Sequence, residues 1–427
     1  MPNIQRLAAL EILDSRGRPT ILATCELTGG IHATASIPSG ASTGKAEALE
    51  LRDGDPKRYR GLGCRKAISH ICGELNQQLA EKTFSNQRKL DQAMINIDNT
   101  PNKSRLGANA LLAVSLSFAR ASAAEKRVPL YLYFAEMLGQ PLRTLPRPTI
   151  NLFSGGKHAG GQVEIQDVLV VPASARTMDE ALAMAYEVYQ SAVQRIHDKY
   201  DMRPLTADEG GLAPPFPSVE AMFEDAVESI RAAGFRLGSE VALAVDIASS
   251  HFYRDGTYHL GNTGLRSSEM VELLCRWLDN YPIVSIEDGL AEEDWQYWPQ
   301  LCAKVGGRAL VLGDDFLCTN PSRITRAIET HSANALLLKV NQIGTLTEAA
   351  EAYKLARAAG WLITMSARSG ETEDNWLADL AVGWSADQIK IGSMTHSERL
   401  AKYNRLLEIE AATQLPLVKW PRTPSSG

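Results

Sequence analysis

The chain has 427 residues, a formal net charge of −6, and is 44% hydrophobic and 22% charged. That length exceeds one compact core and predicts two domains, with ample apolar material for each. Acids and bases are interspersed, which argues against nucleic acid or an anionic membrane as partner, and no apolar run approaches the roughly 20 residues that span a bilayer.

The first residues, Met1-Pro2-Asn3-Ile4-Gln5-Arg6, lack the basic stretch and apolar core of a signal peptide. Six cysteines (Cys25, Cys64, Cys72, Cys275, Cys302, Cys318) are scattered, with no Cys-x-x-Cys pair. They read as reduced, small apolar residues, and the expected location is the cytoplasm.

Residues 7–13, 20–27 and 31–37 alternate in the manner of strands. They are separated by the turn-rich stretch 14–19 and by Gly29-Gly30, which predicts a three-stranded antiparallel meander. The small, polar run Pro38-Ser39-Gly40-Ala41-Ser42-Thr43-Gly44 reads as a mobile loop. Helical patterning follows over about 65–79 and 108–126. Three prolines between 141 and 148 read as a linker. These features place an α+β domain over residues 1–140.

From 149 onward, short apolar runs alternate with longer amphipathic stretches. The runs are 166–171, 241–246, 283–288, 310–314, 335–339, 362–366 and 388–392. Their spacing, mostly about 20 to 40 residues, suits the strand–helix units of a closed α/β barrel over residues 141–427. No internal repeat is evident, and the tail 423–427 is of low complexity.

Most of these runs end on a polar residue: Asp246, Glu287, Asp314, Lys339, Ser366 and Lys390. One such residue is ordinarily a solvated cap. Six at the same topological position point to chemistry at the C-terminal rim of the barrel. Asp246, Glu287 and Asp314 offer only hard oxygens, which favours Mg²⁺ over Zn²⁺. Three converging carboxylates need a counter-charge, and a metal with two lysines would supply it. Lys339 follows Leu336-Leu337-Leu338, and Lys390 lies between Ile389 and Ile391. Apolar surroundings and nearby cations are expected to lower a lysine pKa toward that of a general base; a purely structural pairing with the carboxylates is the alternative. Asp208-Glu209-Gly210-Gly211 falls in a loop before a barrel strand, where glycine allows close approach to a ligand.

These residues resemble the enolase family along essentially the whole chain. The matching segments include Asp14-Ser15-Arg16-Gly17, Pro38-Ser39-Gly40-Ala41-Ser42-Thr43-Gly44, Gly155-Gly156-Lys157-His158-Ala159-Gly160-Gly161, Asp208-Glu209-Gly210-Gly211, Ser285-Ile286-Glu287-Asp288, Lys339-Val340-Asn341-Gln342-Ile343-Gly344 and Ser397-Glu398-Arg399. The resemblance implies an α+β N-terminal domain followed by an enolase-type, TIM-like α/β barrel. It implies Mg²⁺-dependent, reversible dehydration of 2-phospho-D-glycerate to phosphoenolpyruvate, with two Mg²⁺ per site. By position, Asp246, Glu287 and Asp314 would hold the first ion, and Ser42 or a neighbour the second. Lys339 would remove the C2 proton and Glu209 would protonate the leaving 3-hydroxyl. Gln166, Asp167, Lys390 and His158 would line the substrate, with Arg368 and Ser369 on its phosphate. A lysine base with Mg²⁺ on the charged product is the chemistry general to that superfamily. The family also implies at least a homodimer and a small phosphorylated carboxylate as substrate.

The resemblance breaks in places. Ala367 stands where the family usually has histidine, Asp167 where it has glutamate, and Gly289 where it has proline. The segment Ile391-Gly392-Ser393-Met394-Thr395-His396 departs from the usual Thr-Gly-Ala-Pro and following arginine. These changes cluster near the leaving group and the phosphate. They leave open a paralogue of secondary metabolism acting on a related phospho- or phosphono-carboxylate. Retention of Lys339, Glu209 and the three carboxylates argues against a non-catalytic scaffold.

Overall fold

A computed structural model describes residues 1–41 and 43–420; Ser42 and the tail 423–427 lie outside the described residues. Strands β1 (Ile4–Leu13), β2 (Pro19–Leu27) and β3 (His32–Ser36) form an antiparallel sheet in that order. The first turn is set by Asp14, whose Oδ1 accepts the backbone N–H of Arg16 at 2.8 Å and of Arg18 at 2.9 Å. Gly17 takes the left-handed conformation between them, φ +68°. Ile21, Ala23, Cys25 and Leu27 alternate inward along β2 and are buried. They pack with the helix Ala108–Lys126. That helix is buried on nearly every face, because it lies within the core that joins the sheet to the barrel rather than on a surface.

The meander predicted from alternation is present. The predicted helix at 65–79 is present too, widened to a π-type turn over Ile71–Leu75. None of the six cysteines is disulfide-bonded. No helix among the described residues is long and apolar enough to cross a membrane.

The second domain is a closed eight-stranded barrel. Its strands are β4 (Arg147–Ser154), β5 (Asp167–Pro172), β6 (Val241–Asp246), β10 (Ile283–Glu287), β11 (Leu310–Gly313), β12 (Ala335–Leu338), β13 (Leu362–Ser366) and β14 (Gln388–Gly392). A small antiparallel sheet, β7 (Tyr253–Arg254), β8 (Thr257–Leu260) and β9 (Thr263–Leu265), hangs between β6 and β10. Inward-facing Leu169, Val171, Ala242, Ala244, Leu310, Leu312, Ala335 and Leu337 fill the barrel with Trp420 at the end away from the polar rim. Their outward neighbours Val168, Val170, Leu243, Val245, Val311 and Leu336 join the main core beneath the helices.

Two features differ from the sequence expectation. The stretch read as a linker up to Pro148 already contains the start of β4, the eighth strand, all of whose residues are buried. Its polar members Thr149, Asn151 and Ser154 hide an apolar run. In addition, the barrel does not consist of strand–helix units throughout. β4 turns directly into β5, and β5 pairs antiparallel with both β4 and β6, whereas the other pairs around the barrel are parallel. This reversal matters for the site. The N-terminal end of β5 lies at the rim where its neighbours end, so Asp167 pairs in register with Ser154 on one side and Asp246 on the other.

Candidate active site

The polar residues predicted at the strand ends converge on this one rim, and they are buried. Lys390 Nζ lies 2.7 Å from Asp246 Oδ2 and 2.9 and 2.8 Å from the two oxygens of Glu287. Lys339 Nζ lies 2.5 Å from Asp314 Oδ2, and Gln342 Nε2 donates to Asp314 Oδ1 at 2.8 Å. Gln166 Nε2 donates to Asp246 Oδ2 at 3.0 Å, while its buried Oε1 has no hydrogen-bond partner among the described residues.

The electrostatics correct one expectation. Burial is the largest influence on the Lys339 pKa and pushes it down, as its apolar setting predicts, but the charges of Asp314 and Glu287 act together against it and the net shift is upward. Lys390 is likewise depressed by burial, and Asp246 and Glu287 hold it well above its usual value. Burial and the charge of Asp246 push Glu287 well above the ordinary carboxylate range, against the pull of Lys390. The two ammonium groups therefore supply the counter-charge that three converging carboxylates need.

A second cluster sits beside the first. His158 Nδ1 is 3.1 Å from Asp167 Oδ2, and Ser154 Oγ donates to Asp167 Oδ1 at 2.5 Å. His158 Nε2 is 3.8 Å from Glu209 Oε1, and Asn151 Nδ2 donates to Glu209 Oε2 at 3.1 Å. Burial works against protonation of His158, yet Asp167 and Glu209 raise its pKa to about 9. Burial raises Glu209 less than His158, Arg399, Lys390 and Lys339 together lower it, so it lies below its ordinary value. Asp167 is raised by burial, with His158 opposing. These shifts favour a proton on the Asp167–His158 pair over one on Glu209.

The Glu209 loop is held by the segment whose sequence is unusual. Ser393 N–H donates to the Glu209 carbonyl at 2.9 Å and Thr395 Oγ to the Gly210 carbonyl at 3.1 Å. Thr206 Oγ1 and His396 Nε2 are 3.1 Å apart. Gly392 has φ +130°, and a Cβ there would meet Arg399 Cδ at 2.7 Å and the Glu209 carbonyl at 2.8 Å. Arg399 in turn donates to the carbonyls of Arg368, Ile391 and Ser369.

Arg368 is buried, and Ser369 Oγ accepts from Arg16 Nη1 at 3.1 Å, which ties the rim to the N-terminal domain. Ala367 is buried and its N–H donates to the Lys390 carbonyl at 2.9 Å. At Gly289 a Cβ would lie 2.9–3.1 Å from the side chains of Ile286, Leu274 and Leu301, which would have to shift to admit it.

The expected metal trio is split by the lysines, with Lys390 between Asp246 and Glu287 and Lys339 on Asp314. Two tighter groups have ligating atoms within 4.8 Å of one another among the described residues: His158, Asp167 and Glu209, and Asp288, Asp314 and Asp315. Asp288 fixes the second by accepting the N–H groups of Asp314 and Asp315 at 2.9 and 2.8 Å. Burial, then the charge of Asp314, raises Asp315 to about 7. Asp246, Glu287 and Asp314 with the unpartnered Gln166 Oε1 are an all-oxygen set, and its chemistry fits Mg²⁺.

Sequence reading missed Asn151 and Ser154, because β4 was partly taken for a linker. It also missed Gln342, Asp288, Asp315 and Arg399 as supports of the site. Asp288 and Arg399 fall inside recognised motifs, and that was the available signal. Family models agree with this architecture: one described as "Enolase, N-terminal domain" matches residues 4–134, and one described as "Enolase, C-terminal TIM barrel domain" matches residues 142–415. With both domains covered and the barrel closed around this polar rim, the chain belongs to the enolase family.

Proposed function

We propose that the protein is a phosphopyruvate hydratase, a carbon–oxygen lyase that interconverts 2-phospho-D-glycerate and phosphoenolpyruvate in glycolysis and gluconeogenesis. The observation that supports this best is the joining at one rim of a buried lysine on a carboxylate, Lys339–Asp314, and a buried imidazole beside a carboxylate, His158–Glu209. The hydrogen alpha to a carboxylate is a very weak acid, since its loss piles charge onto an existing anion. Such a reaction needs a base at one carbon, an acid at the next and cations over the carboxylate.

Lys339 takes the C2 proton, for which it must first lose its own to solvent and loosen from Asp314. Glu209 delivers the proton to the departing 3-hydroxyl, with Asp167–His158 as the reservoir that recharges it. Lys390 and Gln166 orient the carboxylate end, and Arg368 and Ser369 bind the phosphate. Asp246, Glu287 and Asp314 would hold one Mg²⁺, and Ser42 (outside the described residues) or a neighbour a second, and the bound ions would supply Lewis-acid charge to the substrate carboxylate. The same reading carries a homodimer and a cytoplasmic location, to be checked by light scattering and by fractionation.

A second reading is supported by the small, buried Ala367 and the short Asp167: a paralogue acting on a related phospho- or phosphono-carboxylate in secondary metabolism. Enol absorbance on adding 2-phosphoglycerate and Mg²⁺ separates the two. An A367H/D167E double variant should gain 2-phosphoglycerate turnover, non-additively, under the first reading. Under the second it should gain nothing. Absence of 2-phosphoglycerate turnover by the wild type would sink the first.

A further inference from the structure

A cavity of about 420 Å³ lies at the end of the barrel opposite the polar rim. It sits where β4 and β14 begin, between the segment 140–144 that joins the two domains and the helix Leu346–Ala358. Arg357 of that helix is fixed in its wall. Nη1 pairs with Asp387 Oδ2 at 2.5 Å, Nη2 donates to the Ser385 carbonyl at 2.9 Å, and Nε donates to Tyr353 Oη at 3.2 Å. Asp387 Oδ2 also accepts the N–H of Ile363 at 2.9 Å. This ion pair therefore belongs to the frame of the barrel.

Around that frame the cavity is rich in unmet donors. Arg143 and Lys354 are exposed and have no ion-pair partner among the described residues. Gln140 Nε2 and Ser385 Oγ are buried atoms without a hydrogen-bond partner there. Leaving a buried donor unmet is costly, and a ligand that meets it recovers that cost. Three cations, Arg143, Lys354 and Arg357, stand against the one carboxylate of Asp387 in the lining, in a chain whose net charge is −6. The local field therefore favours an anion although the whole molecule does not. The donors come from the 140–144 segment, from the turn at Ser385 and from the helix. An anion met from three sides suits the oxygens of a tetrahedral phosphate better than the two of a planar carboxylate. The volume exceeds that of a phosphate group and falls within the roughly 300–1,000 Å³ of small-molecule sites. Leu138 and Val418 offer apolar surface for the remainder.

We propose that this cavity binds a small phosphate monoester at a site separate from the barrel rim. Arg143 and Lys354 neutralise the phosphate, Gln140 and Ser385 orient it, and the organic part rests on Leu138 and Val418.

The probes are inorganic phosphate and ribose 5-phosphate, each titrated into the full chain while hydrogen exchange is read at Gln140 and Ser385. Their N–H groups donate to the carbonyls of Ala135 and Val382 at 3.3 and 3.0 Å, so slowed exchange there reports an occupied cavity whatever binds at the rim. Both probes should slow it, ribose 5-phosphate at about tenfold lower concentration. Replacing both free cations, Arg143→Gln with Lys354→Gln, changes only exposed positions. It should raise the concentration needed by at least about tenfold, and calorimetry should count one anion fewer per chain. Ser385→Ala should weaken binding by a smaller factor. Exchange at Gln140 and Ser385 that ignores both probes, or that responds equally in the double variant, would overturn the site. Equal affinity for the two probes would overturn the monoester as its ligand.

Discussion

Replacing Lys390 with methionine removes the ammonium that bridges Asp246 and Glu287 while keeping most of the stem's volume. The three groups are buried, and Lys390 contacts the two carboxylates at 2.7–2.9 Å. Removing one partner from a buried ion pair costs about 3–5 kcal/mol, because a charge is left without compensation. Here the loss should lie near about 3 kcal/mol of that range. Glu287 already sits well above the ordinary carboxylate range through burial and Asp246. Without Lys390 it takes up a proton instead of remaining a bare charge. Two consequences follow for chemical denaturation of Lys390→Met in EDTA. The midpoint should fall relative to wild type at pH 8, and the gap should narrow toward pH 5 as protonation of Glu287 becomes easier. Mg²⁺ should recover part of the loss, since a divalent cation on the same carboxylates replaces the missing charge. A variant as stable as wild type in EDTA at pH 8 would refute the counter-charge account of this rim.

Asp314→Ala should weaken Mg²⁺ binding in calorimetry by about tenfold or more, since two carboxylates make a poorer hard-cation site than three; unchanged affinity would remove Asp314 from the ligands. Gly392→Ala should destabilise the protein by about 1–3 kcal/mol, as a β-carbon at positive φ is strained and meets Arg399 and the Glu209 carbonyl. Its kcat should fall more than its KM rises, because the Glu209 loop shifts, and a variant with wild-type stability and kcat would contradict this. His158 has its folded pKa raised from 6.5 to about 9. Its ion-pair stabilisation is therefore fully present below 6.5 and lost as pH rises through about 9. Wild type and His158→Gln should differ in urea midpoint at pH 6 and converge above pH 9; a gap independent of pH would show that the imidazole is not charged.

The meander, the long buried helix and seven of the barrel strands could be read from alternation and apolar runs, because burial leaves a periodic trace in sequence. β4 could not, since its inward polar residues serve the site and its first residues include Pro148 within a proline-rich stretch. Strand direction leaves little trace. Only the glycine-rich gap between Ser154 and Asp167, too short for a crossover helix, hinted that β5 runs against its neighbours. Asp246, Glu287 and Asp314 were legible because each ends an apolar run. The upward shift of Lys339 was not, because the carboxylates that oppose burial, Asp314 and Glu287, lie far from it in sequence. Nor was the buried ion pair of Glu47 with Arg368, 3.1 Å apart, whose members have no pattern in common.

The central claim is that Lys339 removes a proton from the carbon beside the substrate carboxylate, and exchange of that hydrogen tests it without requiring net turnover. With 2-phosphoglycerate and Mg²⁺ in deuterium oxide, proton NMR of the C2 position should show loss of signal for wild type. Lys339→Ala should show none. Glu209→Gln should keep part of the exchange while forming no phosphoenolpyruvate. Exchange retained in Lys339→Ala and lost in Glu209→Gln would reverse the assignment of base and acid.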